Sequence, residues 1–586
     1  MLGNIVYIND NIAHIQIPDG TPIGANLMNM HVIFEDESKK ILGEVEDISK
    51  EIIKVRFLGE IVNNSFIGGV IRKPSLSANL RIITNDEVKL IVGSSNESIT
   101  IGESPLYDGY PITVDINEFF GHHLAIFGNT GSGKSCGVAR ILQNVFQNQN
   151  IVPYKANFLI FDSYGEYKNA FKNIGSINSN FNFKFYTTSK PEENSFSLEI
   201  PPWLMSIDDF SLLLGADTHS QIPMIERMLK LTRIFASKDD QATSYKNHLI
   251  ASAIMMILYT NQTSASKRND IFSILNTCST NEFNLEAPVQ GIGYVRKFRE
   301  CFLIDSTGQF SESILLTQYV SSFIKEELNK YEVDDDLFFT LEDVEKALNF
   351  TLISEGLLRN EKAYNDAITL KVRLHSLVIS EYGKFFNYPK FITLENYIAS
   401  LVTYNGKKAQ IINFNLEDID DSIAKVIVKI YTRLLFEFTK KLTKRASIPF
   451  HIFLEESHRY VQQDNDNFLL GYNVFERVAK EGRKYGLVLD LISQRPVELS
   501  ETVISQCSNF LIFKMTHPRD IEYIKKMIPN VSAEIIEKQK SLQPGTCVAF
   551  GSAFKVPMII KLKQADPEPS SGNSDIYANW QVKGKQ

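Results

Sequence analysis

Leu124-Ala125-Ile126-Phe127 leads into Gly128-Asn129-Thr130-Gly131-Ser132-Gly133-Lys134-Ser135, and this stretch decides the fold. Four consecutive apolar residues suit a strand buried on both faces of a parallel sheet. Downstream, Val138, Ile141, Leu142, Val145 and Phe146 recur at helical spacing. The segment between them fits G-x-x-x-x-G-K-[ST], a phosphate-binding loop. Its glycines let successive backbone N–H groups point inward at phosphates. Lys134 would place a point charge on the β- and γ-phosphates, and the Ser135 hydroxyl would be a magnesium ligand. The N-terminus of the following helix adds its partial charge to the same place. The expected nucleotide-binding set therefore runs from Gly128 through Cys136.

Further along lie the other parts such a loop needs. Asn157-Phe158-Leu159-Ile160-Phe161 reads as a second buried strand running into Asp162-Ser163-Tyr164-Gly165-Glu166-Tyr167. Asp162 and Glu166 fall where parallel sheets place ligands; a capping Asp and a turn explain the spacing equally well. Phe450-His451-Ile452-Phe453-Leu454 ends in Glu455-Glu456. Beside a phosphate loop, Glu455 suits a magnesium held through water and Glu456 suits polarisation of the attacking water. A basic helix from Phe475 stops at Gly486. It carries Arg477 and Arg483, either of which fits an arginine finger reaching a neighbouring subunit, or a surface salt bridge. The strand Leu487–Ile492 then ends at Ser493-Gln494, with Gln494 placed to sense a γ-phosphate or orient water.

The rest of the chain sets the frame. At 586 residues, with 44% hydrophobic and 22% charged, it reads as a multidomain globular protein. A net charge of −8 excludes a polycation that coats nucleic acid, so any DNA contact needs a local basic surface. Lys440, Lys441, Lys444 and Arg445 offer one, or a solvated helix end. The five scattered cysteines show no metal-ligand spacing and suit a reducing compartment. No signal peptide or membrane span is evident, so a cytoplasmic location is expected.

Residues 1–100 read as short strands forming a small barrel: Val6–Ile8, Ala13–Ile17, His31–Phe34, Ile41–Val45, Ile52–Phe57, Gly69–Ile71 and Val88–Val92, with turns at Pro18-Asp19-Gly20 and Asn63-Asn64. Nine Lys/Arg against thirteen Asp/Glu there disfavour nucleic-acid binding and suit assembly, docking or a structural role. Residues 101–200 open an α/β nucleotide core of P-loop, RecA-like type. Residues 201–400 read as an α-helical insertion, with Glu332–Asp336 as a solvated loop. Residues 401–565 complete the core, ending in a hairpin of Gly545–Phe550 and Val556–Ile560. Residues 566–586 read as a mobile tail, with Trp580 as a possible anchor to another subunit.

In this order, Gly128–Ser135, Asp162–Tyr167, Glu455-Glu456-Ser457-His458-Arg459, Glu481-Gly482-Arg483-Lys484-Tyr485-Gly486 and Ser493-Gln494-Arg495-Pro496 resemble the HerA family of hexameric ATPases related to the FtsK translocases. The resemblance implies ATP and Mg2+ as cofactors, with hydrolysis between subunits of a homo-hexameric ring and double-stranded DNA in its channel. It also implies a partner effector enzyme, a nuclease or a sirtuin-like NAD-consuming protein, in DNA end processing or anti-phage defence. By motif position, Lys134, Ser135, Glu455, Glu456 and Gln494 inherit nucleotide roles, and the arginine finger lies in the Arg477–Arg483 helix. Ser163 and Tyr164 depart from the family, which places Pro and a His or Lys there. The alternative reading is an ATP-binding scaffold that assembles and regulates the effector.

Overall fold

The computed structural model describes residues 2–18, 27–36, 39–93, 97–325, 327–328, 337–354, 361–462, 469–527, 537–572 and 576–580. The acidic stretch 332–336 and most of the turn at 18–20 lie outside them.

The first strands are β1 (Asn4–Asn9), β2 (Ile12–Gln16), β3 (His31–Asp36), β4 (Lys39–Ile48), β5 (Ile52–Val62), β6 (Ser65–Gly68) and β7 (Asn79–Ile82). Alternation of apolar and polar residues in β5 buries every second side chain, as a two-faced strand requires. Asn63 and Asn64 take φ of 50° and 56° in the two-residue turn to β6, the left-handed pair that a tight hairpin uses. The order β1-β2-β5-β4-β3-β7 leaves β1 and β7 as edges. The sheet curls into a half-barrel, which bears out in part the small barrel expected, and Leu2 N–H donates across to Leu80 O at 3.1 Å.

Two expected strands are absent. Gly69–Ile71 follows β6 rather than forming a strand, because Gly69 turns the chain with φ +87°. Val88–Val92 belongs to a helix, Asn85–Val92, nucleated by a capping box: Glu87 N–H donates to Thr84 Oγ1 and Thr84 N–H donates back to Glu87. Replacing Thr84 with Ala should lower stability by about 1 kcal/mol, read as a drop in the urea midpoint at unchanged slope.

The second sheet holds twelve strands: β8 (Ser98–Ser104), β9 (Tyr110–Asp115), β10 (Leu124–Phe127), β11 (Phe158–Asp162), β12 (Phe183–Thr187), β13 (Phe196–Ser197), then, past two small hairpins β14 (Pro288–Gly291)–β15 (Tyr294–Lys297) and β16 (Thr403–Tyr404)–β17 (Lys407–Lys408), β18 (Ile411–Asn415), β19 (Phe450–Leu454), β20 (Leu487–Ser493), β21 (Asn509–Phe513), β22 (Thr546–Gly551) and β23 (Met558–Lys561). The order is β13-β12-β18-β11-β19-β20-β10-β21-β22-β23-β8-β9. Pairing is parallel from β13 to β21 and antiparallel from β21 to β9. The central strands β10, β11, β19, β20 and β21 are buried along their length, which is why their sequences are continuous apolar runs.

One face of this sheet packs on the Lys134–Gln147 helix and on Ile33, Leu42, Ile61 and Phe66 from the half-barrel. Lys538 Nζ also donates to the buried Glu44 Oε1 at 2.6 Å, joining β4 to the chain that precedes β22. The other face packs on helices Ile207–Leu213, Gln221–Ala236, Asp240–Leu258, Ser264–Cys278, Ser313–Ser321, Leu341–Ser354, Glu361–Ile379 and Leu394–Leu401, which lie between β13 and β16, and on Asp421–Lys441. Ser206 and Asp209 form a capping box at the start of Ile207–Leu213. No helix among the described residues is long and apolar enough to cross a membrane. Residues 566–570, expected to be mobile, are hydrogen-bonded to the Lys134–Gln147 helix and to the loop after β11. Their backbone groups find partners on those elements that composition does not reveal.

Candidate active site

The parallel strands place their carboxyl ends together, and the phosphate loop leaves β10 between the ends of β20 and β21. Gly128 N–H donates to Ser493 O at 3.2 Å and Asn129 N–H to Lys514 O at 2.9 Å, so the chains leaving both neighbouring strands hold the start of the turn. Gly545 N–H donates to Ser132 O at 2.9 Å. Gly131 and Gly133 take φ of +73° and +97°. A Cβ at Gly133 would stand 2.8 Å from Gly545 N, so both conformation and space require glycine there. Lys134 is buried in the first turn of its helix, and its Nζ donates to Gly128 O at 2.8 Å and Asn129 O at 3.1 Å. Burial lowers its pKa against the opposing pull of Glu456, Glu455 and Glu166.

The carboxylate pair stands across the loop. Ser135 Oγ lies 3.4 Å from Glu455 Oε1. Burial first, then the charges of Asp162 and Glu166, raises the Glu455 pKa well above the usual carboxylate range. Glu456 sits at φ 47°, ψ 48°, a left-handed conformation unusual for a residue with a side chain. Gln494 Nε2 donates to Glu456 Oε1 at 3.1 Å, and Thr130 Oγ1 donates to Gln494 Oε1 at 2.7 Å. Thr130, Gln494 and Glu456 therefore form one connected line from the phosphate loop to the second carboxylate. Burial raises the Glu456 pKa while Lys134 pulls it down.

Asp162 is fully buried, and its carboxylate accepts from Glu166 N–H, Tyr167 N–H and Asn413 Nδ2, each at 3.0 Å. Its geometry is that of a loop anchor. Glu166, half-buried, faces Ser135 and Lys134; burial raises its pKa and the Ser135 hydrogen bond offsets part of that. Cys136 Sγ accepts from Ala565 N–H at 3.3 Å.

The two arginines are not at this loop. Arg483 is exposed in the turn Gly482–Tyr485 that precedes β20, and its charge acts on His123, which precedes β10. It thus lies at the amino ends of the strands, a strand length of roughly 15–20 Å from the phosphate loop. Arg477 lies over the rings of Phe436 and Tyr472, at 5.7 and 5.6 Å. In the basic cluster, Lys440 and Arg445 both lie over the Tyr485 ring.

Several lining residues escaped the sequence reading. His458 Nδ1 is 3.3 Å from Glu456 Oε2 and 3.2 Å from Ser493 Oγ. Ser163 Oγ donates to Glu455 O at 2.9 Å and meets Tyr460 OH at 2.8 Å. Thr516 was missed as well: its Oγ1 accepts from Nδ2 of the expected Asn129 at 2.7 Å. His458 stands two residues past Glu456 and was available as a signal; the others depend on which strands adjoin.

Glu166 Oε2, Glu455 Oε2 and Ser132 Oγ are buried with no hydrogen-bond partner in the chain, and Glu456 Oε2 has beside it only the His458 imidazole at 3.3 Å. Buried polar atoms are ordinarily paired, so these four suit an external donor or cation. Among the described residues no group of three or more His, Cys, Asp or Glu forms a ready metal cage. That combination fits magnesium, which retains waters and takes one or two protein ligands plus substrate phosphates.

Residues 99–286 match the family model for the central domain of helicase HerA. The chain is 22% identical over 558 residues to the DNA double-strand break repair helicase HerA of Pyrococcus furiosus, covering 90% of this chain and 79% of that protein. It is 22% identical over 561 residues to the probable helicase MJ1565 of Methanocaldococcus jannaschii, covering 94% and 81%. Among solved structures, VirB4 of Thermoanaerobacter pseudethanolicus is similar at 13% identity and a TM-score of 0.46, over 80% of this chain and 98% of that one. With a phosphate loop, a carboxylate pair set against it and HerA-type relatives along most of its length, the chain is an ATPase.

Proposed function

We propose that this ATPase is a motor that moves along or unwinds double-stranded DNA as a homo-hexameric ring, in the cytoplasm, with a partner effector enzyme of the nuclease or sirtuin-like class. The setting is DNA end processing or anti-phage defence. The observation that carries the reading is the line Thr130–Gln494–Glu456, which joins the phosphate loop to the second carboxylate across three parallel strands. The HerA-type match supports the DNA-acting part.

Bound between Lys134, Ser135 and Glu455, magnesium would neutralise phosphate charge. Lys134 holds the β- and γ-phosphates. Glu456 accepts a proton from the attacking water, and Gln494 orients that water or reads the γ-phosphate. Positioning and charge neutralisation dominate such chemistry. Neither arginine lies at the loop of its own chain, which suits a finger supplied by the neighbouring subunit. The working division is residues 1–100 for assembly and docking, 101–200 and 401–565 for the core, 201–400 for a helical insertion and 566–586 for a tail.

A scaffold that assembles and regulates the effector is the second reading. It is favoured by the acidic balance of the half-barrel and by the Glu44–Lys538 contact that ties it to the core. One set of measurements separates them: particle mass with and without ATP and duplex DNA, alongside ATPase rates. The motor predicts a ring and duplex-stimulated turnover that falls with salt. A ring whose turnover ignores DNA supports the scaffold. A persistent monomer without a DNA response overturns both.

A further inference from the structure

After β23 the chain stays on the molecule. Leu562 N–H donates to Gly545 O at 2.9 Å, and Gly545 in turn holds Ser132 of the phosphate loop. Ala565 N–H meets Cys136 Sγ in the first turn of the Lys134–Gln147 helix. Two turns on, the buried Gln143 meets the same segment with both ends of its amide, while its Nε2 also donates to Ala170 O at 3.3 Å. Its Oε1 accepts from Asp566 N–H at 2.8 Å, and its Nε2 donates to Pro567 O at 2.9 Å. Asn169 Nδ2 then donates to Glu568 O at 2.8 Å, and Ser570 N–H to Glu166 O at 2.8 Å. Within six residues the chain crosses from the phosphate-loop helix to the loop that carries Glu166.

Glu166 is thereby clamped on both sides of its Cα. Asp162 accepts its N–H, and Ser570 donates to its carbonyl. Its side chain faces Ser135 and Lys134, and Oε2 is buried without a donor in the chain. A carboxylate so placed, beside the hydroxyl expected to ligate magnesium, suits a partner for the waters of the hydrated ion.

We propose that residues 565–570 are a strap belonging to the nucleotide site, which positions Glu166 to hold the hydration shell of the magnesium at Ser135 and Glu455. The proposal rests on the magnesium–ATPase reading above and adds a positioning element to it. Loss of the strap leaves the phosphate loop and Lys134 in place, so the defect falls on the magnesium-dependent part of nucleotide binding.

The test compares the full chain with a chain ending at Gln564, with the full-length substitutions Gln143→Leu and Glu166→Gln, and with the truncation carrying Glu166→Gln. A fluorescent ATP analogue is titrated at rising magnesium and in EDTA, with thermal melting alongside. Each change should raise the magnesium concentration for half-maximal binding about tenfold, the usual scale for an outer-shell partner, and leave binding in EDTA unchanged. Truncation plus Glu166→Gln should be little worse than either alone, because both act through one group. Unchanged magnesium dependence, additive effects, or an equal loss with and without magnesium accompanied by a lower melting temperature would each overturn the strap's role. An intact chain that binds no analogue at any magnesium concentration overturns the ATPase reading itself, and the strap with it.

Discussion

Replacing Glu456 with Gln should abolish steady-state phosphate release while ATP still binds. The loss expected for a missing general base is about 10²–10⁴-fold. Gln keeps the size and an Oε1 that can accept from Gln494 Nε2, the contact made at 3.1 Å in the native chain, so the line to Thr130 survives. What disappears is the negative, buried oxygen Oε2, which faces the His458 imidazole at 3.3 Å. Burial also raises the Glu456 pKa. The base must be deprotonated to act, so the rate should fall on the acid side at a pH above the ordinary carboxylate range. Any residual activity of Glu456→Gln should lack that limb. Wild-type turnover in this variant would remove Glu456 from the catalytic role, and loss of ATP binding would make it structural.

Substituting Arg483 with Ala should lower turnover about 10³–10⁵-fold, the scale of an arginine finger, with Arg477→Ala much milder. The guanidinium of Arg477 is spread over Phe436 and Tyr472, a contact worth about 0.5–2 kcal/mol of local packing. Arg483 is exposed at the amino ends of the strands, away from its own phosphate loop. A mixing experiment reads the trans geometry. Glu456→Gln subunits supply an intact Arg483, and Arg483→Ala subunits supply an intact Glu456. Co-assembled mixtures should recover turnover that neither variant shows alone. Recovery absent from mixtures shown to co-assemble would place the finger elsewhere, and a larger loss from Arg477→Ala would reverse the choice.

Legibility followed the range of the interaction. The buried strands Phe158–Asp162, Phe450–Leu454, Leu487–Ser493 and Asn509–Phe513 could be read because a strand covered on both faces must be apolar throughout. The same rule misread Val88–Val92. A short apolar run does not distinguish strand from helix, although Thr84-Asn85-Asp86-Glu87 carried the capping-box signal that settles it. The small barrel was legible as a set of short strands, and its form as a half-barrel was not, since strand count and spacing say nothing about whether the first and last strands pair. Residues 566–570 are held although they were expected to be mobile, because Pro, Ser and Gly content reports weak intrinsic order and not the presence of Gln143 and Asn169 as partners.

The sequence by itself determined the phosphate loop, its flanking strand and helix, and the two carboxylates ending β19. Each is a local device, set by glycine conformations, a lysine and serine at fixed offsets, and a continuous apolar run. Only the tertiary structure decided what these devices face. Inserting β20 between β10 and β19 carries Gln494 to the point where it touches both Thr130 and Glu456. The crossing of the C-terminal segment over the Lys134–Gln147 helix fixes Glu166. Such contacts join residues from 38 to more than 400 positions apart, and they follow from how crossovers pack on a twisted sheet, which no local pattern encodes.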